Sequence, residues 1–399
     1  MPRLAGASEA EQHSQGSYFQ VDLGQIPLVP PSARHRHRRS LESVIDFSHT
    51  PLTSNERKRA EDIFSRVIEV SSPIVDPPPP FDVTGLLRLS LRLNPSRRGR
   101  DNFLNYTLRQ YDDVGDDTDC PSLSSSSPFS QVLDRLDQMI SMWSCPPPEW
   151  VTNRTVELAN LLLYFFFLPF KGKATKTPQP TPHLTPVGDG LHIPTRDRIS
   201  NLRATCLARD NHRCVITGYF DLATAQVRDP AVDDSGQPLI GQDIFRTEVV
   251  HIVPHALGEA IREDSPLSPN KSTFWDVMKL FHPEMEQRLN GVEIDRPFNA
   301  MTMTADLHSS FGSLGWYLEE DSIQPEPHAY IFKESPGTHL FLNRIFRPKT
   351  EQQRVRFVSA NGTELPDPGL IALHRACAKI LGMSGAGKYI ERLLRDDED

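Results

Sequence analysis

His251 stands in a β-branched run, Thr247-Glu248-Val249-Val250-His251-Ile252-Val253-Pro254. His308 follows Asn299 by nine positions, at the end of the stretch Asn299–Phe311. A neutral imidazole can take a proton from water near neutral pH. A second imidazole can hold a divalent metal ion, which polarises a phosphate oxygen and stabilises a leaving oxygen. An amide between them, Asn299, can tie the loop backbone so that both rings face one point.

That chemistry needs a scaffold that brings positions 251 and 308 together. Val249–Val253 predicts a short strand ended by Pro254, and Phe298–Met303 predicts a second. Ala305–Phe311 predicts a helical turn with Thr304 as its N-cap. Strand, loop, strand and helix make a compact ββα unit with one histidine on the first strand and one on the helix. A third stretch, Arg209–Gly218, places Cys214 ahead of Thr217-Gly218.

In these three stretches the sequence resembles the HNH, or ββα-metal (His-Me finger), nuclease family. It is most similar to HNH domains of fungal proteins with a Cys-x-x-Thr-Gly knuckle, a Glu-x-x-His-Ile-x-Pro strand and an Asn…Leu-His-x-x-Phe end. Here these are Cys214–Gly218, Glu248–Pro254 and Asn299–Phe311. The resemblance covers about residues 195–320. It implies that His251 is the general base, that Asn299 orients the loop, and that His308 ligates a single divalent ion, magnesium, manganese or zinc. It also implies a nucleic-acid partner, DNA rather than RNA.

Several features depart from the family. Many active members carry Asp immediately before the base histidine; here that position is Val250. Asp306 and Glu248 are the candidate substitutes for the missing carboxylate. Glu248 lies three residues before His251, so in a regular strand it faces away from it. His251 and Asn299 are separated by a long connection whose runs Phe274–Leu280 and Glu284–Leu289 predict helices. His255 reads as a loop histidine in solvent, and Cys214 as a packed side chain, because no second thiolate sits at zinc-knuckle spacing. The alternative to an endonuclease is a catalytically degenerate HNH domain that serves as an interaction or regulatory scaffold.

Charge bears on the same choice. The chain carries 43 Lys and Arg against 52 Asp and Glu, a net charge of −9. Residues 209–320 alone hold 9 basic and 18 acidic side chains. A nuclease gains much of its affinity from cations on phosphates, so basic groups outside this segment are needed. Arg97, Arg98 and Arg100, or the run Arg34–Arg39, are the candidates.

The rest of the chain sets the fold class, an α+β protein with a helical N-terminal region ahead of the ββα unit. Residues 1–50 read as a disordered tail with a basic patch. Residues 51–170 read as helical with Pro- and Ser-rich linkers, with a capping box at Thr53 and Glu56. Helices are expected at about 129–144 and 149–168. Residues 171–194 are rich in Pro and Thr and read as a linker. The HNH-like domain takes 195–320, and 321–399 forms an extension of strands and two closing helices.

Composition excludes several classes. The 35 prolines preclude a long coiled coil, and the 22 glycines follow no collagen period. Five cysteines with no Cys-x-x-Cys pair point to reduced thiols in an intracellular protein, in nucleus or cytoplasm. The most apolar run, Leu161–Phe170, is too short to span a bilayer, which takes about 20 residues, and the N-terminus shows no secretory pattern. The chain therefore reads as a soluble protein without a membrane partner.

Overall fold

The computed structural model describes residues 51–71, 80–112, 128–143, 147–174, 195–258, 269–289, 291–337 and 354–396. The expected N-terminal tail with Arg34–Arg39, and most of the Pro/Thr-rich 171–194 stretch, lie outside these residues.

The N-terminal region is helical. α1 (Ser54–Val70) opens with the expected capping box: Thr53 Oγ1 accepts the Glu56 N–H, and the Glu56 carboxylate accepts the Thr53 N–H. It buries Ile63, Phe64, Val67 and Ile68, at helical spacing on one face. α2 (Val83–Arg92) and α3 (Arg97–Asp112) follow, then α4 (Phe129–Met142). α5 (Glu149–Leu162) runs through a π-helical turn, Leu163–Phe167, into α6 (Leu168–Ala174). The extra residue of the π turn widens the helix where Phe165, Phe166 and Phe167 all become buried.

α7 (Thr195–Arg209) begins the second half. Two short parallel segments, β1 (Phe220–Asp221) and β2 (Ile244–Phe245), flank α8 (Leu222–Val227). The expected ββα unit is present. β3 (Thr247–His251) pairs antiparallel with β4 (Ala300–Thr304), with His251 opposite Ala300 and Thr247 opposite Thr304. α11 (Ala305–Gly312) follows at once. Between the strands lie α9 (Pro269–Met278) and α10 (Pro283–Arg288), close to the two helices read from the sequence. Thr304 is at the N-cap of α11, but its hydroxyl makes no capping bond.

A three-stranded antiparallel sheet extends the unit, with β5 (Trp316–Glu320) against β6 (Ala329–Glu334) and β6 against β7 (Arg354–Arg356). α12 (Pro368–Ser384) and α13 (Ala386–Asp396) close the chain. Gly385 separates them at φ 76°, a left-handed conformation that glycine adopts without a Cβ penalty.

One apolar core joins the residues before 175 to those after 194. Its centre is aromatic. Phe166 of the π turn stacks on Phe281 at 4.5 Å and on Phe274 at 5.4 Å between ring centres. The connection between β3 and β4 thus docks its helices on the N-terminal helices. Polar contacts fix the same seam: Asn94 Nδ2 donates to the Leu280 carbonyl at 2.8 Å and Asn102 Nδ2 to the Lys279 carbonyl at 2.9 Å. Gly99 is required there, because a Cβ would stand 2.1 Å from the Phe281 carbonyl oxygen.

His374 in α12 gives the core an acid-sensitive member. Its ring stacks on Phe311 at 3.6 Å, and its Nε2 donates to the Phe311 carbonyl at 3.1 Å. Burial pushes its pKa down to about 3, against the partial restoring effect of that bond. A histidine whose folded pKa lies below its unfolded value stabilises fully above the unfolded pKa of about 6.5. That stability is lost as pH falls from there toward 3. Urea unfolding between pH 7 and pH 4 should therefore show a loss of stability that is reduced in His374→Gln.

Candidate active site

Two imidazoles, His251 and His255, meet with ring centres 5.4 Å apart where the chain leaves β3 for the connection to β4. The His251 side chain ends β3 and is fully buried. Its Nε2–H donates to Asp295 Oδ1 at 3.0 Å. His255, one short 3-10 turn (His255–Leu257) later, donates its Nδ1–H to the same oxygen at 2.7 Å. The other carboxylate oxygen, Asp295 Oδ2, accepts from Arg198 Nε at 3.0 Å. A carboxylate only accepts, so these bonds place the protons of His251 on Nε2 and of His255 on Nδ1. The other His251 nitrogen, Nδ1, is buried and has no hydrogen-bond partner among the described residues.

His308 is arranged on the same plan from the other side of the hairpin. It lies in α11, buried, and its Nδ1–H donates to Glu248 Oε2 at 2.7 Å. Its Nε2 is likewise buried without a hydrogen-bond partner among the described residues. Glu248 faces away from His251, as strand alternation requires, and on that face it meets the helix that carries His308. His251 and His308 are thus each locked in one tautomer by a carboxylate and keep one nitrogen lone pair that no described residue meets, an arrangement that raises ligand basicity and fixes ring orientation.

Electrostatics follow from burial and these pairs. Burial pulls the His251 pKa below its ordinary value, opposed by the bond to Asp295 and reinforced by the neighbouring His255 and His308. The ring is therefore neutral. Burial alone would raise the Asp295 pKa, but the bonds from His251 and His255 outweigh it and hold the carboxyl well below the usual range. The bond from His308 likewise lowers the Glu248 pKa, against its partial burial.

Asn299 sits at the start of β4 with no exposed surface. Its Oδ1 accepts the Val253 N–H at 2.9 Å, and its Nδ2 donates to the Val253 and Ile294 carbonyls at 3.1 and 3.0 Å. Its own carbonyl accepts the Ile252 N–H at 2.8 Å. The amide thereby ties the segment after His251 to the segment that ends in Asp295.

His251, His255 and Asp295 are also the group of three potential ligands that lie together among the described residues, with donor atoms within 4.8 Å of one another. His308 is not in that group. The fit to a divalent ion rests on the orphaned, buried imidazole nitrogens, which only a proton, a water or a cation can satisfy.

The sequence reading of His255 as a solvent-facing loop residue does not hold: the ring is buried and bonded to Asp295. Asp295 was missed altogether. Its one signal was a lone carboxylate four residues ahead of Asn299. Asp306, a candidate ligand, is exposed on the first turn of α11. Cys214 is buried, with the Thr217 N–H directed at its sulfur at 3.4 Å. Gly218 closes that knuckle at φ 72°.

Val250 also departs from expectation. Its place before His251 suggests that an Asp there would supply a ligand. The side chain instead is 1% exposed within the apolar core that includes Met301, Met303, Leu307 and Phe311. A carboxylate there would be buried without a cationic partner, at a cost of about 3–5 kcal/mol. Val250→Asp should therefore lower the urea midpoint markedly, and it should not raise hydrolysis.

Residues 214–319 match the family model described as HNH endonuclease. The comparisons with curated proteins and with solved structures returned no match.

Proposed function

We propose that this chain is a metal-dependent endonuclease that hydrolyses phosphodiester bonds of nucleic acid, DNA rather than RNA, at the His251–Asn299–His308 unit. The observation that carries the reading is the pair of carboxylate-locked imidazoles, His251 and His308, each with a buried nitrogen that no described residue meets. Such nitrogens are costly in a purely structural core. They are what a base and a cation site require.

His251 is the general base. Its Nε2–H is held by Asp295, so the lone pair on Nδ1 is the one able to take a proton from water. The ring is neutral because it is buried, and Asp295 stabilises the imidazolium that forms as the water oxygen attacks phosphorus. Asn299 keeps the 252–254 backbone and Asp295 in register, which fixes where the base stands. His308 is a ligand of the ion through Nε2, with Glu248 orienting its ring. His255 and Asp295 make a group of potential ligands with His251 that does not include His308. Magnesium, manganese or zinc held by His308 would polarise a phosphate oxygen and offset charge on the leaving oxygen.

One observation favours the scaffold reading, the apolar Val250 at the position where many active family members have Asp. Nicking of supercoiled plasmid by the purified chain decides between them. The nuclease reading expects nicking with a divalent ion that chelation abolishes. Intact plasmid with magnesium, manganese and zinc alike would leave the scaffold reading.

A further inference from the structure

The active-site segment is acidic, yet the N-terminal helices carry a stretch of the opposite kind. Residues 83–100 contain five arginines, Arg88, Arg92, Arg97, Arg98 and Arg100, and no Asp or Glu. The two carboxylates that border this stretch are engaged elsewhere. Asp82 caps α2 through the Gly85 N–H at 2.7 Å. Asp101 is buried in a two-pronged bond with Arg57, at 2.6 and 2.8 Å.

The fold gathers these arginines at one corner, where α2 ends and α3 begins. Arg88 and Arg92 are exposed one helical turn apart on α2, and Arg97 and Arg98 are exposed on the first turn of α3. Arg100 reaches back to the Arg92 carbonyl at 3.4 Å. Guanidinium groups so placed repel one another, and an anionic partner removes that repulsion.

The corner is fastened to the active-site connection. Asn94, between α2 and α3, and Asn102, in α3, hold residues 279–280, and Gly99 allows α3 to touch the Phe281 carbonyl. From there α9 leads back to Trp275, whose Nε1–H donates to the Leu257 carbonyl at 3.3 Å, at the end of the turn that begins with His255. Leu280 lies five residues beyond Trp275 and two beyond the end of α9 at Met278. The arginines therefore stand on a rigid extension of the site.

We infer that the α2–α3 corner is the phosphate-binding surface of this protein, gripping the backbone of a nucleic-acid duplex beside the segment to be cut. The inference rests on the nucleic-acid reading of the site and assigns affinity to the N-terminal helices, outside the nuclease-like unit. Unlike base contacts, these contacts are indifferent to sequence and strongly dependent on salt.

Binding measured without cleavage separates this surface from the chemistry. The full chain is titrated with a short fluorescent duplex in EDTA, between about 50 and 200 mM salt. Each phosphate contact contributes about 0.9 to the slope of log K against log salt. The variant with Arg88, Arg92, Arg97 and Arg100 all changed to Gln should lose about three to four from that slope, with an unfolding midpoint near that of the wild type. The matching variant with Lys at all four positions should retain most of it, since lysine also binds phosphate as a point charge. An unchanged slope in the Gln variant would overturn the surface while leaving the hydrolytic reading intact. Absence of duplex binding by the wild-type chain at low salt, or tighter binding to phosphatidylserine vesicles than to the duplex, would also overturn it. A lowered slope in a chain that never nicks plasmid would support the surface and reject the nuclease.

Discussion

Asp295→Asn is expected to lower phosphodiester hydrolysis by about 10²–10⁴-fold, the range that a positioned general base contributes. The reason lies in the three donors around one carboxylate. Oδ1 accepts from His251 and His255, and Oδ2 accepts from Arg198. An amide cannot accept on both sides. Its oxygen turns to the cationic Arg198, and its NH₂ then faces the two imidazoles. His251 must move its proton to Nδ1 to accept from that NH₂, which removes the lone pair assigned to water. Replacement also removes the negative charge that stabilises the imidazolium. In the wild type the rate should rise with pH through the lowered His251 pKa and be flat above about pH 6.5, the ordinary histidine value. Steady-state rates across that range, with thermal unfolding as a control, check both statements. A rate for Asp295→Asn within about twofold of wild type would remove Asp295 from the mechanism.

Arg209→Met should destabilise the protein by about 3–5 kcal/mol, the cost of leaving a buried charge without its partner. Arg209 is fully buried at the end of α7. Its Nε and Nη2 hold the Asp210 carboxylate at 2.7 and 2.9 Å. The remaining donors reach the Pro297, Ala300 and Glu364 carbonyls at 2.8, 3.0 and 3.1 Å. One side chain thus joins α7, the entry to β4 and the segment ahead of α12. Methionine fills the space but leaves Asp210 buried beside an apolar group, and three carbonyls lose their donor. Asp210 Oδ2 also accepts the Thr302 N–H at 3.2 Å, so the hairpin register would feel the change. Equilibrium urea unfolding at pH 7 measures the effect. A loss under about 1 kcal/mol would mean that water replaces these bonds.

The parts of the site that the sequence disclosed are those encoded locally. The strand that carries His251 is legible because a β-branched run ended by proline makes a strand whatever surrounds it. The roles expected of His251, Asn299 and His308 come from the resemblance to the HNH pattern, not from strand or helix signals. Asp295 was not found because its role depends on where a 3-10 turn (Gly291–Asp295) folds back over β3, and no periodicity encodes that return. His255 was misplaced for the same reason: a loop histidine becomes buried only when a carboxylate arrives to meet it. Glu248 was read correctly as pointing away from His251, but the partner it meets there, His308, is 60 residues distant. The fold shows the same division. Helix caps and amphipathic faces were legible, whereas the π turn and its Phe166 stack on Phe281 arise from tertiary packing between distant segments.

The central claim is that His251 activates water for attack on a phosphodiester. Cleavage of a labelled duplex by wild type and His251→Gln, run side by side with a divalent ion in ¹⁸O-water, tests it most directly. The wild type should place ¹⁸O in the new phosphate terminus. His251→Gln should bind the duplex with the wild-type salt slope yet cleave at least about 10²-fold more slowly. Equal cleavage by the two proteins, or cleavage without ¹⁸O incorporation, would contradict it.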